Sequence, residues 1–239
     1  MKMELNLHTV SCIGFKGGVG RTTTAAALAF GLASIGQRVA LIDAGYAVPL
    51  EEQLVSTGGG LGAVPDQSIL GRWAETVQEG SFRDGDIQYI RATTAGYLKA
   101  VLDQLWRENW TYVVIDTPAH QTASVFEAAG RSSLLILPAR NVSDANEIQD
   151  RLPEEFLFRR DNLRCLVSGS EQPQNVRAAF SRLPIMATDL PLDPSFTGFI
   201  PHQNHSKDQG VSEGSWQRWC IQLANEVIEL ISERESMAS

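Results

Sequence analysis

Cysteine is scarce in this 239-residue chain. There are three, Cys12, Cys165 and Cys220, far apart and with no C-x-x-C pair among them. Such spacing excludes a disulfide framework and a cysteine-based metal site, and leaves buried free thiols in a reducing compartment. Long apolar runs are absent too. Nothing approaches the roughly 20 residues of a membrane span, and Met1 to His8 carry no apolar segment of a secretory signal. The chain therefore reads as a cytoplasmic, soluble protein with no membrane partner. Positive charge is the third shortage. Twenty Lys and Arg face 28 Asp and Glu, a net charge of −8, which argues against a uniformly basic nucleic-acid binder but leaves room for a local patch. Neither an internal repeat nor a compositional break marks a linker. A single domain over residues 1–239 is expected, with a disordered polar tail from Glu233.

What is present is alternation. Apolar runs at Val10 to Gly14, Gln37 to Asp43, Asp86 to Arg91, Thr111 to Asp116, Leu134 to Leu137 (stopped by Pro138), Leu163 to Ser168 and Ile185 to Thr188 read as strands. Helical patterns separate them. One runs from Thr24 to Ile35. Another spans Thr94 to Asn109, with Leu98, Val101, Leu102, Leu105 and Trp106 at helical spacing. Several strands are apolar throughout rather than alternating, as expected when helices cover both faces of a parallel sheet. The fold class expected is α/β: doubly wound, mostly parallel. Gly45 to Ser68 reads as a glycine-rich connection, with a short helix at Leu50 to Val55.

The stretch Phe15-Lys16-Gly17-Gly18-Val19-Gly20-Arg21-Thr22-Thr23 lies between the first strand and its helix. Strand, glycine turn and helix are the context of a phosphate-binding loop. Glycines let successive N–H groups face one anion, and the helix N-terminus adds partial positive charge. Thr22, in the first helical turn, can offer its hydroxyl to Mg²⁺. The usual pattern is G-x-x-x-x-G-K-[ST]. Here Phe15 replaces the first glycine, Arg21 replaces the lysine, and an early lysine, Lys16, precedes the glycine pair.

On these residues the chain resembles the ParA/MinD family of deviant-Walker P-loop ATPases, whose loop reads K-G-G-x-G-K-[ST]-T. Lys16, Gly17, Gly18, Gly20, Thr22 and Thr23 match; Arg21 departs. The resemblance implies ATP and Mg²⁺ as cofactors, and a homodimer closed by ATP in which Lys16 reaches the nucleotide of the opposite subunit. It further implies roles in DNA or plasmid partition, transfer or cargo positioning, with non-specific DNA and a ParB-like or relaxosome-type protein as partners.

Other positions fit the same site. Asp116 ends an apolar strand before Thr117-Pro118, as a magnesium-holding acid does, and ligands of open α/β sheets lie off the carboxyl ends of strands. By resemblance Asp43 matches the first acid of a D-x-D strand end, and Gly45 falls where the water-positioning second acid belongs. Lys16, Asp43 and Asp116 are thus the catalytic candidates, and residues 16–23 with Pro191, in a loop near the base, form the cofactor set. Arg for Lys is not a neutral exchange at a phosphate site. Loss of one positioned group costs on the order of 10²–10⁴ in rate. An ATP binder with slow or absent hydrolysis is therefore expected. The competing reading is a degenerate, nucleotide-independent interaction module acting beside a true ATPase; a P-loop ligase or small-molecule kinase lacks an acceptor-site constellation.

Arg159, Arg160, Arg164 and Arg177, with Arg151 and Arg182, suggest either a DNA-phosphate patch, as in related ParA proteins, or a solvated helix face, since acids are interleaved. Ser215 to Ser232 is amphipathic but carries Glu on its polar side. It is expected to pack on the sheet rather than lie on a membrane. His202 to His205 reads as a polar loop and His120 as a surface loop residue.

Overall fold

The computed structural model describes residues 7–45, 87–157, 160–192 and 215–238. In chain order the elements are β1 (His8–Cys12), α1 (Arg21–Ser34), β2 (Val39–Asp43), β3 (Ile87–Arg91), α2 (Ala95–Arg107), β4 (Tyr112–Asp116) and α3 (Ala123–Arg131). There follow β5 (Leu134–Ala139), α4 (Val142–Arg151), the single turn α5 (Glu154–Leu157), β6 (Leu163–Ser170), α6 (Pro173–Ala179), β7 (Leu190–Pro191) and α7 (Ser215–Ala238). The strands form one seven-stranded sheet, ordered β3-β2-β4-β1-β5-β6-β7. Every pairing is parallel. This is the doubly wound sheet the continuous apolar runs imply.

Alternate residues of each strand face opposite layers. Val10, Leu41, Val114 and Ile136 join α1 and α7 in one core. Ala40, Ile42, Val113 and Ile115 join α2 on the other side, while Leu137, Ala139 and Cys165 meet α4 and α6 there. Helix α1 is buried from Thr24 to Ala33 because α7 covers its outer side. Its small residues permit that sandwich. A Cβ on Gly31 would lie 2.0 Å from the carbonyl oxygen of Cys220, so the two helices meet backbone to backbone here.

Four expectations are corrected. Pro138 does not stop β5. The strand continues to Ala139 beside β6, and pairing with β1 ends at Ile136, so no strand partner waits there for the missing N–H. The strand expected at Ile185 to Thr188 is a single bridge, Ile185 to Cys165, and β7 forms later, at Leu190–Pro191. Trp106 lies outside the buried stripe of α2, at 65% exposure. Nor does the chain fray at Glu233. Helix α7 runs to Ala238, anchored where Arg234 donates to the carbonyl of Ser133 and where His8 and Glu235 stand 3.7 Å apart. The expectations for residues 46–68, including the Leu50 to Val55 helix, and for His202 to His205 fall outside the described residues.

Candidate functional site

The carboxyl ends of β1, β4 and β2 lie side by side, with Cys12 level with Asp116 and Asp116 level with Asp43. The loop leaving β1 reaches α1 through Gly18 (φ +78°) and Gly20 (φ +99°), left-handed conformations that glycine adopts without strain. Gly17 and Gly18 are exposed, and a Cβ on either would meet nothing within 4 Å. The loop thus presents an open cradle of backbone. Phe15 and Val19 face inward; Phe15 packs in the α4/α6 core, which explains a large side chain where the usual loop has glycine. Thr23 is half-buried in the first turn of α1.

Across this cradle Thr22 donates its hydroxyl proton to Oδ2 of Asp116 at 2.7 Å. The other carboxyl oxygen of Asp116, Oδ1, is buried without a hydrogen-bond partner. Burial pushes the Asp116 pKa up to about 7. Arg21 and the Thr22 hydroxyl pull against that shift, and Asp43 adds to it. A buried, unsatisfied carboxylate oxygen is costly, and its position invites a cation. Among the described residues no group of three His, Cys, Asp or Glu could hold a metal. A cation here would combine Thr22 and Asp116 with oxygens from a bound phosphate, the arrangement Mg²⁺ favours. The residues present fit that ion.

Both oxygens of Asp43 have partners. Its Oδ1 accepts from the Gly45 amide at 3.0 Å and its Oδ2 from the Tyr89 hydroxyl at 3.2 Å. At Gly45 itself a Cβ would sit 3.5 Å or more from its neighbours, ordinary contact. Arg21 does not project freely over the cradle; its Nη1 donates to the carbonyl of Thr117, which begins the loop after β4. Lys16 is held by carboxylates of the same chain. Its Nζ stands 2.5 Å from Asp144 and 3.3 Å from Glu147 on α4, and these contacts, Asp144 first, raise its pKa.

Pro191 lies in β7 beside Ser170 rather than in a following loop. With Leu192 and Trp219 it lines an open groove of about 930 Å³ next to the cradle's own cleft of about 400 Å³; Ser170, Glu171 and Leu192 belong to both. The segment before it is clamped. Arg177 forks onto Asp189 at 2.6 and 3.1 Å, and Glu226 of α7 accepts the Ala187 and Thr188 amides.

Among the DNA candidates, Arg177 is the residue that holds this loop. Arg164 binds backbone carbonyls of Asp161 and Leu163, Arg151 pairs with Glu147, and Arg182 with Asp150. Arg159 and the side chain of Arg160 lie outside the described residues. Sequence reasoning missed Arg140, Asp144, Glu147 and Tyr89. The only local signal was for Asp144, three residues after Asn141, whose Oδ1 caps its amide at the start of α4.

Three comparisons bear on this geometry. A family model described as the CobQ/CobB/MinD/ParA nucleotide binding domain matches residues 10–238. The antiactivator FleN of Pseudomonas aeruginosa is 29% identical over 234 residues, covering 84% of this chain and 77% of that protein. Among solved structures, MinD of Pyrococcus horikoshii complexed with Mg-ADP is similar at a TM-score of 0.61 and 17% identity, covering 94% of this chain and 97% of that one. McdA of Cyanothece, in its apo form, gives 0.58 and 18%, covering 95% and 99%. At these identities the structural likeness speaks to fold.

Proposed function

The chain belongs to the CobQ/CobB/MinD/ParA nucleotide-binding domain family, and on that premise we propose that it is an ATP-binding dimerisation switch with slow or absent hydrolysis. One observation carries the reading. The buried oxygen of Asp116 without a partner stands beside the Thr22 hydroxyl, at the mouth of an open glycine cradle. That arrangement suits a Mg²⁺-bound nucleoside triphosphate. The cradle amides and the N-terminus of α1 would hold the phosphates. Mg²⁺, when bound, would neutralise charge on the terminal phosphates. Thr22 and Asp116 would hold it, and Pro191 borders the groove available to the base.

This chain's own residues set the rate. Orienting an attacking water requires an acceptor at the strand end, and Gly45 has none. Asp43, the nearest acid on that strand, already accepts two hydrogen bonds. Arg21 brings a fork in place of a compact ammonium and spends one donor on Thr117. Binding relies on backbone amides, Thr22 and Asp116, all of which are in place. Affinity is retained in this reading while turnover is lost.

Lys16 provides the self-association step. Lying at the rim of the cradle and 37% exposed, its ammonium can exchange Asp144 and Glu147 for the phosphates of a second subunit. The output fits partition, transfer or positioning of a cargo, through DNA or a protein target; the antiactivator designation of FleN favours a protein. The alternative of a nucleotide-independent module draws on the same contacts, because Lys16 and Arg21 both have intramolecular partners.

Titration of ATP with Mg²⁺, together with mass measurement, tests the proposal on wild type and Lys16→Ala. The expected result is saturable binding, a nucleotide-dependent dimer and loss of that dimer in the variant. Binding with no change of mass would remove the switch, and no binding at all would favour the alternative.

A further inference from the structure

Arg140 follows Ala139, the last residue of β5, and β5 lies directly beside β1. It leaves the sheet at the carboxyl edge, next to the glycine cradle, where open α/β sheets hold their ligands. Its amide donates to Oδ2 of Asp144 at 2.9 Å, which fixes the turn into α4. From that fixed point the side chain crosses the cleft. Nη1 stands 3.4 Å from the carbonyl of Gly18, a long and weak hydrogen bond. Nε lies 3.7 Å from where a Cβ on Gly169 would sit, a point also 3.8 Å from Leu192. The guanidinium therefore spans the gap between the phosphate cradle and the end of β6.

The charge on Arg140 has no ion pair among the described residues. Of the other two cations of the cradle, Lys16 is paired with two carboxylates, and Arg21 is part-buried and turned towards the Thr117 carbonyl. Arg140 is exposed and lines the same cleft as Lys16, Gly17 and Gly18. A planar fork with most of its donors unused, aimed across a nest of amides, matches phosphate oxygens in a way that a carbonyl at 3.4 Å does not.

We propose that Arg140 is a phosphate-binding side chain of this site, a further positioning residue that moves from the Gly18 carbonyl onto the polyphosphate of a bound nucleoside di- or triphosphate. The inference rests on the nucleotide-binding reading above. It adds a cation from β5 to a site whose sequence motif lies wholly between β1 and α1, and it offsets the loss of the usual loop lysine at Arg21.

The test is calorimetric titration of wild type, Arg140→Ala and Arg140→Lys with ATP, ADP and inorganic pyrophosphate, all with Mg²⁺. Loss of a charge-assisted contact should weaken all three ligands about ten- to a hundredfold in the alanine variant. Lysine should restore part of the affinity, since it keeps the charge and loses the fork. The ligand-free melting temperature should not move, because the side chain is exposed and its amide, not its guanidinium, serves the α4 turn. Unchanged constants in Arg140→Ala would overturn the assignment. So would a loss seen with ADP and ATP but not with pyrophosphate, which would place Arg140 on the sugar or base. If wild type binds none of the three, the parent reading fails with it; if wild type binds and the variant matches it, only the Arg140 assignment falls.

Discussion

The ammonium of Lys16 lies 2.5 Å from a carboxylate oxygen of Asp144, a residue only 3% exposed. Asp144 is in turn fixed by the Arg140 amide and the Asn141 cap. The residue that would reach a second subunit's nucleotide is thus tied to a rigid point of its own.

Weakening that tie should ease self-association. Asp144→Asn keeps an oxygen to accept the Arg140 amide but removes the charge that holds Lys16. With Mg²⁺ and ATP, the dimerisation constant measured by sedimentation equilibrium should tighten by about two- to tenfold, the range of a partly exposed ion pair. Equal or weaker association would mean that Lys16 gains nothing by leaving.

Turnover should respond at the end of β2. Gly45→Asp adds an acid where a Cβ meets only ordinary contacts. Steady-state phosphate release should rise by about a hundredfold, the low end of what one positioned group supplies. A flat rate would show that Gly45 is not the missing element, and attention would move to Arg21.

Protonation of Asp116 should be visible in stability. Its folded pKa, about 7, lies above the ordinary carboxylate value. The folded state therefore keeps a proton that the unfolded chain releases near pH 4. This contribution is complete below about pH 4 and is lost as pH rises through about 7. Without nucleotide or Mg²⁺, Asp116→Asn should raise the melting temperature at pH 8 by several degrees relative to wild type, and the gain should shrink towards pH 5. A pH-independent difference would place the burden of Asp116 in its hydrogen bonds rather than its charge.

The contact between α1 and α7 admits a steric test. Gly31→Ala would put a methyl group 2.0 Å from the Cys220 carbonyl, with little room to yield. A loss of roughly 1–3 kcal/mol or more is expected. By chemical denaturation the midpoint should fall while the slope stays constant. An unchanged midpoint would mean that the helices can part at no cost.

The parallel sheet, the cradle between β1 and α1, the strand-end acids Asp43 and Asp116 and the amphipathic α7 were all determined by the sequence alone. Each is a local matter: glycines where the chain turns left-handed, apolar runs where both faces are covered, an acid where a strand runs out. Strand limits were less legible, because Pro138 could continue only where its neighbour had stopped pairing, and β7 formed where β6 offered an edge. Tertiary structure alone decided which charges are spent and which are available. Lys16 meets Asp144 and Glu147, Arg21 meets Thr117, Arg177 meets Asp189, and Arg140 comes to rest over Gly18. Those partners lie on other elements, and only the parallel crossovers bring them within reach. A side chain's charge is written in its residue type, but whether that charge is free to bind depends on what the fold sets beside it.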